Sequence, residues 1–300
     1  MTTVSLRRTT APSSTASRPD AVSSDASSDA SSDASAARTR TRRKRLVPRK
    51  SPRWAPIAGP VLIVALWSIS SAYELVDTRM LPAPWTIART FVDLWTTGTL
   101  RVDIVTSLHR ASVGFAFGLV FAVVLALFAG LTRVGDTLID GTVQIKRAIP
   151  TLGLIPLLIL WLGIGESFKI VIIALSVFVP IYINLVAALQ GIDHRYVELA
   201  QVLRLSRAQF IRQVVFPGAL PGFFVGLRLA VNISWLSLVV LEQINATSGL
   251  GYMMFQAQNY GQMDVIVVGL VMYGVFGFIT DAVLRIIERK ALSWRRGLSN

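Results

Sequence analysis

The chain has 300 residues, 53% of them hydrophobic, and a mean hydropathy of +0.56. Several uncharged stretches approach or reach the length of about 20 residues that a helix needs to cross a bilayer, which argues against a soluble globular protein. The composition therefore predicts an all-α integral membrane protein. Because the chain contains no cysteine, disulfides and thiolate metal sites are excluded. The two histidines, His109 and His194, lie too far apart to predict a metal centre, and we expect no cofactor.

Positive charge is concentrated near the N-terminus. Residues 1–53 contain 12 of the 30 Lys and Arg residues, and the whole chain has a net charge of +13. Residues 1–37 are small and polar and are predicted to be disordered, since they offer too little apolar area for a core. Residues 38–53 carry nine Lys/Arg and no acid, which predicts either contact with anionic lipid or, as we favour, a topogenic signal. Both interpretations make 1–53 a cytoplasmic arm, and neither requires nucleic acid.

Six apolar stretches are predicted to be transmembrane helices. They are residues 54–73, 111–132, 148–165, 170–192, 214–241 and 265–280. With the N-terminus inside, the cytoplasmic segments hold 24 Lys/Arg and the external segments hold five; without the arm the comparison is still 12 to five. Because Lys and Arg collect in cytoplasmic loops, both termini are predicted to be cytoplasmic. The membrane domain would cover 54–290 and a cytoplasmic tail 291–300.

The first external segment, residues 74–110, is predicted to contain an interfacial helix. Leu81-Pro-Ala-Pro84 prevents regular helix, and an amphipathic pattern follows over residues 86–95. Tryptophan is enriched at membrane surfaces, and Trp85 and Trp95 flank this stretch. A simple connector is the less favoured alternative.

Prolines interrupt two predicted spans: Pro150 and Pro156 the third, Pro180 the fourth. Each proline frees backbone hydrogen-bonding groups and bends a helix, which at membrane depth is tolerated only beside protein or a water-filled cavity. These prolines are candidate lining residues of a pathway, although structural kinks explain them equally well.

Arg147, with Lys146 beside it at the predicted inner end of the third span, would attract an anion there. The cytoplasmic excess of Lys and Arg explains these two residues nearly as well.

Two further features concern helix packing. Gly114 and Gly118 permit close approach of another helix, most simply within the same chain. Arg228 and Asp281 are predicted at similar depths in the last two spans, roughly 10 and 8 Å from the cytoplasmic face. Opposite charges inside a membrane favour pairing, so we predict a salt bridge between them, with separate snorkelling as the alternative.

Motifs for catalysis are absent from the sequence. It contains no G-x-x-x-x-G-K-[ST] phosphate-binding loop, no H-E-x-x-H zinc motif and no G-x-S-x-G nucleophile motif. An enzyme is therefore not predicted. An intramembrane enzyme and a membrane-tethered scaffold that uses the basic arm are kept as distant alternatives.

A charged, proline-punctuated segment, residues 190–223, separates two predicted spans. It contains Glu198-Leu199-Ala200 and ends in PGALP, from Pro217 to Pro221. With this spacing it resembles the EAA loop of ABC importer permeases, the segment that docks on the ATPase. Residues 159–170 (ILWLGIGESFKI), 180–185 (PIYINL) and 248–254 (SGLGYMM) are similar to the sulfonate/nitrate/taurine group, and most to aliphatic sulfonate permeases. The similarity covers about residues 55–290.

The resemblance implies a six-helix permease of type I ABC importer architecture, in which a loop at about 193–221 couples to the ATPase. The coupling residues carried over are Glu198, Leu199, Ala200, Arg204, Pro217 and Pro221. A short helix there would present Val197, Ala200 and Leu203 at helical spacing to the ATPase. The family usually has glycine where this chain has Arg204, and arginine costs about 1 kcal/mol in the left-handed turn that glycine permits. Either the loop turns differently or the ATPase has adapted to the cation.

The resemblance also implies partners and a location. The partners are a second permease copy, two cytoplasmic ATP-binding subunits and an extracytoplasmic solute-binding protein, assembled in the bacterial plasma membrane. The single EAA-like segment favours a homodimer, and ATP hydrolysis would belong to the partner subunits. The implied function is import of a small anion, with aliphatic sulfonates first and nitrate, taurine or another small solute as the alternative.

Overall fold

The computed structural model describes residues 55–75, 77 and 80–294. The predicted arm, 1–53, and the last six residues of the predicted tail lie outside this range. All regular structure in the described residues is helical, which confirms the all-α prediction. The helices are α1 Ala55–Ala72, α2 Pro84–Thr96, α3 Thr99–Leu131, α4 Arg133–Ala148, α5 Thr151–Leu162, α6 Glu166–Gln190, α7 His194–Val202, α8 Arg207–Gln243, α9 Leu250–Asn259 and α10 Met263–Ala291.

The predicted count of six spans is confirmed only in part. Among the described residues, α3, α6, α8 and α10 are long and apolar enough to cross a membrane, and α4 with α5 forms a fifth span if this bent pair is counted as one. The described apolar part of α1, Ala58–Ala72, is shorter than that requirement. The structure is thus that of a multi-pass membrane protein with four or five full spans in the described residues.

The third span differs from its prediction. Helix α4 already begins at Arg133, and α5 leaves it at an angle of 88°, so residues 148–165 do not form one straight helix. The reason lies in Pro150: a residue before proline avoids the helical region, and Ile149 is extended at φ −90° and ψ 120°. A membrane helix therefore breaks at residues 149–150.

Helices α3, α6 and α8 form the core of the bundle. Ile172, Ile173 and Val177 of α6 are fully buried between the other two helices. A Cβ atom on Gly114 would lie 2.7 Å from Ile173, and one on Gly118 would lie 2.5 Å from the Ala174 carbonyl oxygen. These distances are too short for any side chain, so the two glycines pack within the chain, as predicted.

The bundle has two ends, which are named here after the short helices they carry. The α7 end is where α6 ends and α8 begins, and the α9 end is where α8 ends and α10 begins. Helix α2 covers residues 86–95, where the sequence predicts a helix, and its Thr90 hydroxyl donates to Asp264 Oδ2 of α10 over 2.6 Å. Helix α3 starts twelve residues before the predicted span. Arg110, which was assigned to an external loop, therefore lies inside a helix.

Candidate functional site

The break between α4 and α5 is held to α6 by Lys146. Its Nζ donates to the Thr151 hydroxyl and to the main-chain carbonyl of Leu175, both over 2.8 Å. Leu175 lies nine residues into α6, roughly 14 Å from the α9 end at helical rise. Helix α4 starts at the α7 end and has 16 residues, which places its far end roughly 24 Å away from that end. Both lengths put the break beside the middle of α6, so the prediction that Lys146 and Arg147 lie at the inner boundary is wrong.

The predicted pathway residues divide into two groups. Arg147, Pro150 and Pro156 lie together around the break, and all three are exposed. Among the described residues, Arg147 has no hydrogen-bond or ion-pair partner. Pro180 lies apart from them on α6, where its carbonyl accepts from Asn184 Nδ2 over 2.8 Å and faces the closely packed Gly226 of α8.

The position of Arg147 limits what can cover it. A cation in contact with lipid tails near the bilayer centre costs roughly 3 kcal/mol or more, and non-helical backbone there needs protein or water around it. The surface at Arg147 and Pro150 therefore suits a water-filled passage or a partner subunit. A passage with these walls would attract anions, because low-dielectric surroundings strengthen the field of a cation.

Helix α7 projects apolar side chains away from the bundle. Asp193 caps its start by accepting from the Arg195 N–H over 3.0 Å. Leu199 is 53% exposed and Leu203 is 60% exposed, whereas Ala200 is 8% exposed. The prediction that Ala200 belongs to the face that contacts the ATPase is therefore wrong, because this small side chain packs inward. The outward apolar face consists of Tyr196, Leu199, Val202 and Leu203, and Glu198 is exposed beside it.

Arg204 adopts the left-handed conformation that the family glycine would favour. Its φ is +50°, its N–H donates to the Gln201 carbonyl over 3.0 Å, and the Leu205 N–H donates to the Ala200 carbonyl over 2.9 Å. This pair of bonds closes the end of α7 in the Schellman arrangement, which usually has glycine at this position. The alternative in which the loop turns differently is therefore wrong, because Arg204 itself adopts the left-handed conformation.

The second half of the predicted coupling loop belongs to α8. Pro217 and Pro221 lie inside this helix, directly after a wide π-helical turn at Ile211–Val215. A proline ring clashes with the carbonyl four residues earlier, and a wide turn relieves such crowding. The predicted loop at 193–221 is thus α7 followed by the first turns of α8.

Arg228 and Asp281 meet within a larger charge network. Arg228 Nε lies 3.7 Å from Asp281 Oδ1, and Arg228 Nη2 lies 2.5 Å from Glu288 Oε2. Arg285 also pairs with Asp281. The network joins α8 to α10 and is partly exposed, so Glu288 and Arg285 are members that the sequence argument did not include.

A second network was missed altogether. Arg110 is 2% exposed, Glu242 is fully buried, and their side chains are 2.9 Å apart. Arg110 also binds Glu166 Oε2 over 2.5 Å. The sequence did contain a signal for a polar cluster. Asp103, Ser107 and Arg110 are spaced by four and three residues, so these polar side chains share one helix face.

Comparisons with known proteins agree with this architecture. Residues 118–293 match the family model of binding-protein-dependent transport system inner membrane components. The chain is 37% identical over 236 residues to the putative aliphatic sulfonates transport permease protein SsuC of Bacillus subtilis (strain 168), covering 79% of this chain and 86% of that protein. It is 40% identical over 235 residues to the protein of the same name from Escherichia coli (strain K12), covering 78% and 89%. It is 29% identical over 239 residues to the E. coli taurine transport system permease protein TauC, covering 78% and 86%.

A solved structure shares the fold. In inward-facing conformations of the MetNI methionine ABC transporter, one chain matches 65% of this chain and 97% of its own length, with a TM-score of 0.51 and 22% identity. At that identity the match concerns architecture alone. The family match and the relatives confirm the resemblance drawn from the sequence motifs. The chain belongs to the binding-protein-dependent transport system inner membrane components, the permease subunits of ABC importers.

Proposed function

We propose that this permease carries a small anion inward and that the anion is an aliphatic sulfonate. The observation that carries the proposal is the cationic break between α4 and α5, where Arg147 is exposed beside the middle of α6. A cation in a passage through the membrane lowers the energy of a passing anion. Two relatives are named for aliphatic sulfonates. The alternative substrates are taurine, named in the more distant TauC, and nitrate, named in the nitrate import permease protein NrtB of Synechocystis sp., which is 30% identical over 189 residues.

The same reasoning extends to the assembly. We propose two copies of this chain, two cytoplasmic ATP-binding subunits and an extracytoplasmic binding protein, with both termini cytoplasmic. A second copy would cover the exposed break, since lipid cannot, and the two breaks would then face a common passage. The α7 end would be cytoplasmic, because the segments on that side are rich in Lys and Arg.

Helix α7 is the proposed contact to the ATPase. Its outward face, with Leu199 at the centre, would insert into a groove of the ATP-binding subunit, as amphipathic helices do in apolar grooves. Glu198 and Arg204 would lie at the edge of that contact, and Pro217 and Pro221 would make the start of α8 stiff enough to transmit movement. Closure of the ATPases on ATP would turn α7 and open the passage outward.

Uptake into proteoliposomes tests the substrate. Vesicles containing the complete transporter, supplied with the loaded binding protein and internal ATP, are expected to accumulate a radiolabelled alkanesulfonate, and excess unlabelled nitrate is expected not to compete. Accumulation of nitrate in place of alkanesulfonate would contradict the sulfonate assignment and support the alternative.

A cysteine scan tests the passage, and the chain suits it because it has no native cysteine. Arg147→Cys is expected to react with a charged, water-soluble thiol reagent, and the reaction is expected to block uptake. The matched control is Phe121→Cys on the apolar face of α3, where the native side chain is 59% exposed and lipid is expected. An unreactive position 147, or modification without effect on uptake, would place the passage elsewhere.

A further inference from the structure

The start of α9 has no cap of its own. The first N–H groups of a helix lack partners inside the helix, and the residue at the N-cap position of α9 is Gly249, which has no side chain to supply one. Three partners come instead from other helices. Gly249 N–H donates to Asp103 Oδ1 over 2.8 Å, Leu250 N–H to Ser107 Oγ over 2.9 Å, and Gly251 N–H to Glu242 Oε2 over 2.9 Å.

Arg110 and Glu242 hold this arrangement together. Arg110 Nη1 donates to the Ser248 carbonyl over 2.6 Å and to Glu242 Oε1 over 2.9 Å. Glu242 also accepts from the Ser107 hydroxyl over 2.8 Å and from the Tyr273 hydroxyl over 3.0 Å. A buried charge is tolerated only when paired and hydrogen-bonded, and each of these two meets that condition. The carboxylates also lie at the N-terminus of α9, where the helix dipole favours negative charge.

The glycines of the SGLG motif make the contact possible. A Cβ atom on Gly249 would lie 2.5 Å from Glu242 Cδ and 2.7 Å from Arg110 Nη1, and its φ is +121°. A Cβ atom on Gly251 would lie 2.7 Å from Glu242 Cβ. The backbone can thus approach the buried ion pair only where side chains are missing, which explains why glycine occupies positions 249 and 251.

The ion pair also connects α9 to α6 and to an open cleft. Arg110 Nε and Nη2 bind the Glu166 carboxylate over 2.5 and 2.7 Å, and Lys169 of α6 lies 3.2 Å from the same carboxylate. Helix α9 forms one wall of a cleft of about 880 Å³ that opens at the α9 end and is also lined by Thr99 and Asp103 of α3. The position of α9 therefore determines the shape of this opening.

We infer that Arg110 and Glu242 are positioning residues for transport, which hold the start of α9 against α3 and α8 so that α9 moves with these helices. The inference rests on the proposed transport function. It goes beyond that function by naming an internal contact that keeps the cleft at the α9 end in shape. Loss of the contact would free the start of α9 while the α3–α6–α8 core stays folded, because the fully buried Ile172, Ile173 and Val177 pack α6 against the other two helices without using this ion pair.

The test combines hydrogen exchange and uptake on the complete transporter. Ser107→Ala removes the partner of the Leu250 N–H, and Gly249→Ala forces a side chain against the ion pair without changing a charge. We expect exchange at amides 250–253 to rise about tenfold in both variants and exchange at amides 172–179 of α6 to stay unchanged. The maximal uptake rate is expected to fall several-fold at an unchanged half-saturating concentration of binding protein. Arg110→Lys, which keeps the charge, is expected to retain more uptake than Arg110→Met.

The control is Ser237→Ala. It removes a buried hydroxyl of α8 that donates to Ser176 of α6 over 3.1 Å and not to α9, so neither measurement is expected to change. The inference would be overturned if amide exchange in α9 were unchanged in both variants, or if exchange rose equally in α6 and α9. Faster exchange in α9 together with a normal uptake rate would also overturn it. The exchange measurement needs no transported solute, so a wrong substrate assignment would leave its result intact.

Discussion

The side-chain amino group of Lys146 lies 2.8 Å from the main-chain carbonyl oxygen of Leu175. This hydrogen bond joins the end of α4 to a point nine residues into α6, so the broken segment lies beside the middle of a helix that is long enough to cross a membrane. It also separates the roles of two neighbouring cations. Lys146 is used to hold the break, whereas Arg147 is left exposed beside it.

Replacing Lys146 with methionine is expected to reduce uptake tenfold or more. Methionine keeps the length but loses a charged hydrogen bond worth about 1.5–3 kcal/mol, so the break would no longer be held to α6. Lys146→Arg should retain more activity because it keeps a cationic donor. The check is the initial uptake rate, normalised to the amount of assembled complex. Normal uptake in the methionine variant would show that the bond to Leu175 is dispensable.

Substitutions at Arg147 are expected to change the uptake rate without changing assembly of the complex. The order of uptake should be wild type, then Arg147→Gln, then Arg147→Glu, because charge reversal repels the anion as well as removing attraction. Assembly should be equal in all three, since a guanidinium that faces a water-filled passage between the two copies makes no contact that assembly needs. Rates equal to wild type in both variants would exclude Arg147 from the passage.

Two neighbouring positions on α7 should behave differently. Leu199→Asp is expected to lower co-purification of the ATP-binding subunit with normal membrane insertion, because the side chain points outward. Ala200→Trp is expected to lower the amount of folded permease instead, since overpacking a buried position costs about 1–3 kcal/mol. Quantitative pull-down and membrane abundance distinguish the two effects. Normal pull-down and coupled ATPase activity in Leu199→Asp would contradict α7 as the docking helix.

Glycine at position 204 should strengthen the end of α7. The left-handed conformation costs arginine about 1 kcal/mol that glycine avoids, so Arg204→Gly is expected to slow exchange of the Leu205 amide about fivefold. ATPase binding should be unchanged if the cation is only tolerated there. A large loss of ATPase binding would instead identify Arg204 as a contact of the partner.

Exchanging the charges of Arg228 and Asp281 is not expected to restore stability. Arg228→Asp would place a carboxylate opposite Glu288, and Asp281→Arg would place a guanidinium beside Arg285, so two repulsive pairs would replace attractive ones. Both helices are candidate membrane spans, where like charges in contact are costly, so the two new repulsive pairs should outweigh the one attractive pair that the exchange restores. The melting temperature of the purified complex, compared with both single variants, is the measurement. A double variant more stable than either single variant would show that this pair acts alone.

Much of the fold was predictable from local properties of the chain. Long uncharged stretches dictate membrane helices in any context, because unpaired backbone groups are too costly in lipid. The proline at position 150 favours a break, since the ring removes a donor and restricts the preceding residue, but Pro180 and Pro221 lie inside helices, so proline alone did not fix where a span breaks. The motif around Glu198 and the spacing to Pro217 and Pro221 were sufficient to place the chain in its family.

The tertiary structure alone decided which polar residues meet. Arg110 and Glu242 are 132 positions apart, and nothing in their neighbourhoods along the chain indicates that one carboxylate would accept from α3, α9 and α10 at once. The depth of Lys146 and Arg147 likewise followed from the path of α4 back into the bundle, because hydropathy records the composition of a segment and not its direction. Which face of α7 points outward depended on how Ala200 packs. These outcomes rest on long-range contacts, whose energies depend on where separate helices come together, whereas helix formation depends mainly on residues that are neighbours in the chain.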